Sequence, residues 1–244
     1  MTDSLKKIGM TMFVVCLMQI ASSIGPILTA SAQEEGSEEY VPPSCIGDAS
    51  AGPVKCNYRG GDNYFGSFSN GVPNGRGIYV YANGDRYEGL FSGGRPNGEG
   101  TFIFADDARY EGTFENGNIV RGTAIFIDGS RYEGPFRLVR DVATDVVSSQ
   151  PAGQGQFVFT NGDRYVGEFF AGQPFGQGTL NRVDGTRCQG RFFNGNLDAN
   201  GSCTFPNGTR YEGELRQGLP HGQGVLIDSA GRRFPGQFRE GKRI

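Results

Sequence analysis

Apolar residues recur along this chain in short runs that alternate with polar ones. Tyr79 and Tyr81, Phe102 and Phe104, and Phe157 and Phe159 stand two positions apart, while Tyr87, Gly89 and Phe91 enclose Glu88. Alternate side chains of a strand share a face, so each such run predicts a strand with an aromatic side and a polar side. The runs are broken by turn-forming clusters, such as Asn70-Gly71-Val72-Pro73-Asn74-Gly75 and Asn83-Gly84-Asp85-Arg86. Two short alternating runs joined by Gly, Asn and Pro predict a β-hairpin.

The hairpins are periodic. Units begin at Tyr64, Tyr87, Tyr110, Tyr132, Tyr165, Cys188 and Tyr211, with a partial one at Phe234. The period is roughly 23 residues, lengthened to about 33 between Tyr132 and Tyr165. Gly60, Gly61 and Asp62 read as the tail of an earlier half unit. Glycine recurs two residues into every unit, at Gly66, Gly89, Gly112, Gly134, Gly167, Gly190, Gly213 and Gly236. Two origins are open: an aromatic ring from a neighbouring strand lying over bare backbone, or a bulge. A lone hairpin is marginal in water, so stability must come from stacking each unit on its neighbours.

The runs Tyr211-Glu212-Gly213-Glu214-Leu215 and Gly218-Leu219-Pro220-His221-Gly222-Gln223-Gly224, and nearly as closely Tyr87 to Gly100, resemble the MORN repeat family. The resemblance covers Tyr64 to Phe238. It implies an all-β fold, an elongated single-layer antiparallel sheet of tandem hairpins that serves as an interaction surface or spacer and carries no catalytic residues. The chain departs from the pattern in three places: Cys188 replaces the leading Tyr, the unit at Tyr110 lacks a residue near Val120, and extra residues lie between Arg137 and Ala152. The insert, Leu138 to Val147, has no Gly and is rich in β-branched residues. It is expected to interrupt the regularity at the loop edge, either as a binding loop or as a tolerated insertion.

Composition adds boundaries. With 41 Gly and a hydrophobic fraction of 36%, a single large core is not expected. Residues 1–32 read as a bacterial-type export signal, in which Lys6 and Lys7 precede uncharged residues that end in Ala30-Ser31-Ala32. The alternative is an uncleaved N-terminal anchor helix. Residues 33–55, with Glu34, Glu35, Glu38, Glu39, Pro42, Pro43 and Pro53, read as an acidic, Pro-rich linker, and 56–244 as the repeat array. The expected compartment is periplasmic or secreted. A net charge of −3, or −4 without Lys6, Lys7 and Asp3, makes nucleic acid a poor partner.

Catalysis finds little support. The single His221 sits in a repeat turn, and neither a Gly-x-Ser-x-Gly elbow nor a phosphate loop is present. Glu88, Glu111, Glu133 and Glu212 occupy one repeat position and are equivalent, which does not fit a specialised pair. No catalytic residue, metal site or cofactor is therefore expected. Beside the Glu positions runs a column of Arg86, Arg109, Arg131, Arg164, Arg187, Arg210 and Arg233. Val166, Gln189 and Pro235 stand where the acid would be, which makes Arg164, Arg187 and Arg210 candidates for an anionic group on a partner. A protein partner is the leading expectation, with anionic lipid or glycan contacted through the Arg column as the alternative. Cys45 is expected to pair with Cys56 and Cys188 with Cys203, the latter because both fall on the aromatic face of one hairpin.

Overall fold

A computed structural model describes residues 42–244, and the proposed signal segment and the first part of the linker, 33–41, lie outside that range. The described chain forms strands and turns only, and it divides into two compact units. One runs through Ile127 and takes in Leu138–Ser149; the other comprises Asp128–Arg137 and Gln150–Ile244.

In the first unit β1 (Ser44–Ile46), β2 (Val54–Asn57), β3 (Asn63–Ser69), β4 (Val72–Val80), β5 (Arg86–Ser92), β6 (Arg95–Ile103), β7 (Arg109–Glu115) and β8 (Asn118–Ile125) pair antiparallel in chain order. The chain continues with β9 (Arg131–Arg140) and β10 (Val147–Pro151), of which Leu138–Arg140 and Val147–Ser149 fall in the first unit. The second unit goes on with β11 (Gly153–Val158), β12 (Arg164–Phe170), β13 (Gln173–Asn181), β14 (Arg187–Phe192), β15 (Asn200–Thr204), β16 (Arg210–Arg216), β17 (Leu219–Ile227), β18 (Arg233–Arg239) and β19 (Lys242–Arg243). There β11 lies between β9 and β12, and the rest pair in sequence. The all-β array of tandem antiparallel hairpins is thus the one read from the period.

Glycine faces glycine across the strand pairs from β3 to β8 and from β11 to β18. Gly66, Gly77, Gly89, Gly100, Gly112 and Gly122 form one row, and Gly155, Gly167, Gly178, Gly190, Gly201, Gly213, Gly224 and Gly236 form the other. Neither origin considered for these glycines holds as stated: the bulge lies just beyond Gly89 rather than at it, and the ring over it comes from its own strand. The register slips just beyond the row, between Gly89 and Phe91 for example, so that Leu90 alone opposes Asn97 to Glu99. Gly98, at φ +102°, absorbs the extra chain.

The phenol of Tyr87 then folds along its own strand, reaching across Gly89 to cover Gly100 of the neighbour, and donates its hydroxyl to Leu90 O at 3.1 Å. The ring over the recurrent glycine therefore comes from two residues back in the same strand. Tyr64, Tyr132, Tyr165 and Tyr211 repeat the bond to Ser67, Pro135, Glu168 and Glu214 at 2.7 to 2.9 Å. A carbonyl left without a ladder partner by the slip is satisfied by a phenol, which explains Tyr rather than Phe at this position. Around each Tyr the rings stack edge to face: Tyr87 touches Phe91 at 5.1 Å and Phe114 of the next hairpin at 5.0 Å.

The turn aspartates staple successive units. Asp85, only 8% exposed, accepts from Asn83 at 2.8 Å and from the backbone N–H of Ala105 at 2.9 Å. Asp62 and Asp163 hold Ala82 and Val183 in the same way.

The departures have local solutions. At Tyr110 the slip is reduced to one residue, Val120 standing alone between the Thr113–Arg121 and Phe114–Ile119 pairs. The insert corrects the expectation of a loop that breaks regularity. Strand β9 continues to Arg140, β10 pairs back on it, and the turn between them closes through Asp141 N–H to Val146 O at 2.8 Å. A glycine-free, β-branched sequence extends a hairpin more readily than it forms an irregular loop.

Candidate binding face

The face opposite the tyrosines carries the charged columns. In the first unit Arg86 pairs with Glu88 at 2.6 Å and Arg109 with Glu111 at 2.8 Å; in the second, Arg131 pairs with Glu133 at 3.6 Å. These are exposed pairs within one strand, each worth a fraction of a kcal/mol at most. The first unit's face forms a groove of about 710 Å³ over its glycine row, with Glu88, Glu99 and Glu111 on its walls beside Phe65 and Ile78.

The second unit differs in the middle. Along the row next to the arginines the residues are Glu133, Gln156, Val166, Thr179, Gln189, Ser202 and Glu212. Carboxylates stand only at the two ends. Arg210 is therefore neutralised by Glu212 at 3.0 Å, and Glu212 is shared with Arg233 at 3.2 Å. Arg164 instead donates to the neutral Gln156 side chain, and among the described residues Arg187 makes no ion pair. Of the three candidate arginines the fold separates Arg210 from the other two. Arg164 and Arg187 lie in one row, each opposite Asn181, with one strand between them and about 10 Å from backbone to backbone. Below them lies a groove of about 480 Å³ floored by Gly178, Gly190 and Gly201 and walled by Gln177, Gln189 and Ser202.

Cys45 is joined to Cys56 and Cys188 to Cys203, each pair directly opposite on adjacent strands. Cys188 occupies the place of the leading Tyr, and the space that the phenol would fill over Gly190 is taken by Leu197, which is buried. Leu197 stands at the repeat place held elsewhere by Pro73, Pro96, Pro174 and Pro220, so the signal was a longer apolar side chain at a fixed position of the unit that lacks its Tyr. Two disulfides are in keeping with an oxidising compartment. Among the described residues no group of three or more His, Cys, Asp or Glu side chains is placed to hold a metal ion, and His221, expected in a turn, lies near the start of strand β17.

One group of residues is not evident from the sequence pattern. Phe170, Phe175 and Phe193 carry exposed or half-buried rings on this same face, stacked in a row with centroids 5.7 and 5.8 Å apart. Comparing each repeat position across units would have found them.

A chain built this way is a tandem β-hairpin repeat protein, with a tyrosine-stapled face that holds the units together and a polar, glycine-floored face that is open. The MORN repeat matches residues 64–86, 87–109, 147–164, 165–187, 188–210 and 211–231, more than half of the chain. The chain belongs to the MORN repeat family. MORN repeats are scaffold modules that mediate protein or membrane interactions. No curated protein matches the chain. Among solved structures it is similar to the G-box domain of the microcephaly protein CPAP, 16% identical over 77% of this chain and 86% of that one, with a TM-score of 0.41. It is also similar to the SAS-4 TCP domain of Drosophila melanogaster, solved with a proline-rich motif of Ana2, 11% identical over 87% and 99% of the two chains at a TM-score of 0.41. The TCP10 domain of Danio rerio CPAP is 17% identical over 80% and 95%, at a TM-score of 0.34.

Proposed function

We propose that this protein is a non-catalytic scaffold of an extracytoplasmic compartment that binds a protein partner through the polar face of its second unit. The observation that carries the reading is the interruption of the Glu row between Glu133 and Glu212, which leaves Arg164 and Arg187 over a neutral groove. A solvated charge ladder has no reason to lose its acids at consecutive positions. Where Val166 and Gln189 replace them and Gln177, Thr179 and Ser202 line the groove beside a glycine floor, an approaching backbone finds donors, acceptors and room. Protein is favoured over a lipid surface because the arginines of this face without an ion pair are few, Arg164, Arg187 and Arg191, with Glu168 among them, whereas attraction to anionic headgroups gains only about 1 kcal/mol per basic residue. The compartment rests on the disulfides and on the signal-like residues 1–32.

The test is capture of partners by the tagged full chain in its own cells, with Arg164→Ala/Arg187→Ala as the comparison. A partner recovered from the extracytoplasmic fraction and lost with the variant is expected. Equal recovery by both chains, or salt-sensitive flotation on phosphatidylglycerol vesicles without any protein partner, would overturn the reading.

A further inference from the structure

The row of Phe170, Phe175 and Phe193 breaks the repeat at positions where burial does not ask for it. Counted from the leading residue of each unit, the place of Phe170 and Phe193 is held elsewhere by Ser69, Ser92, Glu115, Arg137, Arg216 and Arg239. The place of Phe175 is held by Asn74, Asn97 and His221. Alternation fixes where the rings stand: Phe169, Pro174 and Phe192 are buried on the tyrosine face, so their successors Phe170, Phe175 and Phe193 stand on the open one. Phe170 is 68% exposed and Phe193 59% exposed, yet each touches Phe175. Single exposed apolar side chains are ordinary, but a contiguous aromatic row at positions held by polar residues in most other units, Val120 being an apolar exception, marks a contact surface, because aromatic rings supply large area at low entropic cost.

The row has a fixed relation to the arginines. On β12 the open face reads Arg164, Val166, Glu168, Phe170, and on β14 Arg187, Gln189, Arg191, Phe193. Six residues of strand separate the aromatic end from the arginine end, about 20 Å at roughly 3.3 Å per residue. Between the ends lies the groove over Gly178 and Gly190.

We infer that this face takes an extended protein segment with an aromatic or large aliphatic residue at one end, seated on Phe170, Phe175 and Phe193, and an acidic residue about six positions away, paired with Arg164 and Arg187. The occupant is chosen by charge and reach. Arg164 and Arg187 make no ion pair among the described residues, so their end of the face favours negative charge, while Glu168 and Arg191 offset one another in the strip between the ends. An extended chain spans the distance with its backbone against glycine and its amides within reach of Gln177, Thr179 and Gln189. A bilayer fits less well, because the rings and the arginine pair lie at opposite ends of one broad face rather than at one depth. The inference rests on the proposed function in using the same arginines, and adds the aromatic anchor and the spacing.

The experiment selects random dodecapeptides displayed on phage against the immobilised full chain. Enrichment of sequences with Phe, Tyr, Trp or Leu about six residues from Asp or Glu is expected. Synthetic peptides of that consensus should bind the triple variant Phe170→Ser/Phe175→Asn/Phe193→Ser at least ~10-fold more weakly, and likewise Arg164→Ala/Arg187→Ala, while Arg86→Ala binds as the parent does. The triple variant carries residues that other units already have at these positions, so its melting temperature should match the parent's; if it does not fold, the single variants Phe170→Ser and Phe193→Ser carry the test. No consensus, or a consensus indifferent to the phenylalanines, overturns the inference. Peptides that need the arginines but not the phenylalanines would do so while leaving the proposed function standing. Flotation on phosphatidylcholine–phosphatidylglycerol vesicles, or dimerisation in sedimentation, lost in the triple variant would assign the row to a membrane or a second copy instead.

Discussion

The ring of Tyr87 lies over Gly100 so closely that a Cβ on that glycine would stand 2.5 Å from Tyr87 Cζ. The ring has nowhere to go, since its hydroxyl is tied to Leu90 O and its edge meets Phe91 and Phe114. Gly100→Ala must push the ring off or part β5 from β6, which as overpacking costs about 1–3 kcal/mol. Gly60→Ala, with nothing within 4 Å of the new methyl, should be close to neutral. Urea unfolding of the two variants beside the parent checks this, and equal midpoints would refute the close-approach account of the glycine rows.

Removing the staple at Asp85 acts across a full repeat. Its carboxylate holds the N–H of Ala105 from the next hairpin, so Asp85→Ala leaves that donor without a partner in a partly buried turn. The expected loss is about 1–3 kcal/mol, the range for a charged hydrogen bond and an orphaned group. Amide exchange should show Ala105 deprotected first, before any residue of β6. Asn83→Ala, which removes the amide's bond to the carboxylate and the acceptor of the Asp85 N–H but leaves Ala105 held, should cost less.

High pH should attack the same tyrosines. Burial pushes the Tyr64 phenol up to about 12, with Tyr58 adding to it, and pushes Tyr87 to about 12, with Glu99 adding to it, from an ordinary value of 10.0. The folded state thus favours the neutral phenol. That contribution is complete below pH 10.0 and is lost as pH rises towards about 12, so stability should be flat up to pH 10 and fall beyond it. Tyrosinate absorbance at 295 nm, followed together with far-ultraviolet circular dichroism, should rise late and in step with the loss of strand signal. Ionisation of all tyrosines near pH 10 with the sheet intact would contradict it.

How much of this could be read in the chain depended on the range of each interaction. The period, the two faces and the unit boundaries were legible because alternation acts between neighbours two residues apart, as in Tyr87, Gly89 and Phe91. The slip beyond Gly89 was not, since it appears only when Phe91 is set opposite Pro96 across a hairpin. The role of Asp85 was hidden for a like reason, its acceptor being matched to a backbone group twenty residues on. At the candidate site Arg164 and Arg187 stand out by the missing acids, whereas Arg210 keeps Glu212 two residues on, and the structure pairs them at 3.0 Å. Phe170 and Phe193 were overlooked because an apolar residue in an aromatic-rich repeat reads as core; only their place on the open face distinguishes them.

The Cys188 unit offers a further test of what holds a hairpin that lacks its tyrosine. Cys188 and Cys203 close a loop of sequence separation 15, and Leu197 fills the space over Gly190. Loop closure of that length is worth about 3 kcal/mol in the unfolded-chain account. Leu197→Ala, fully buried and replacing a ring's worth of contact, should cost about 2–5 kcal/mol. The two effects share one hairpin, so they should not add: with Cys188→Ser/Cys203→Ser already present, the unit is loosened and Leu197→Ala should cost less than it does alone. A double-mutant cycle by urea unfolding measures the difference. Strict additivity would mean that the disulfide and Leu197 support the unit independently, and that Leu197 is not the substitute for the absent phenol.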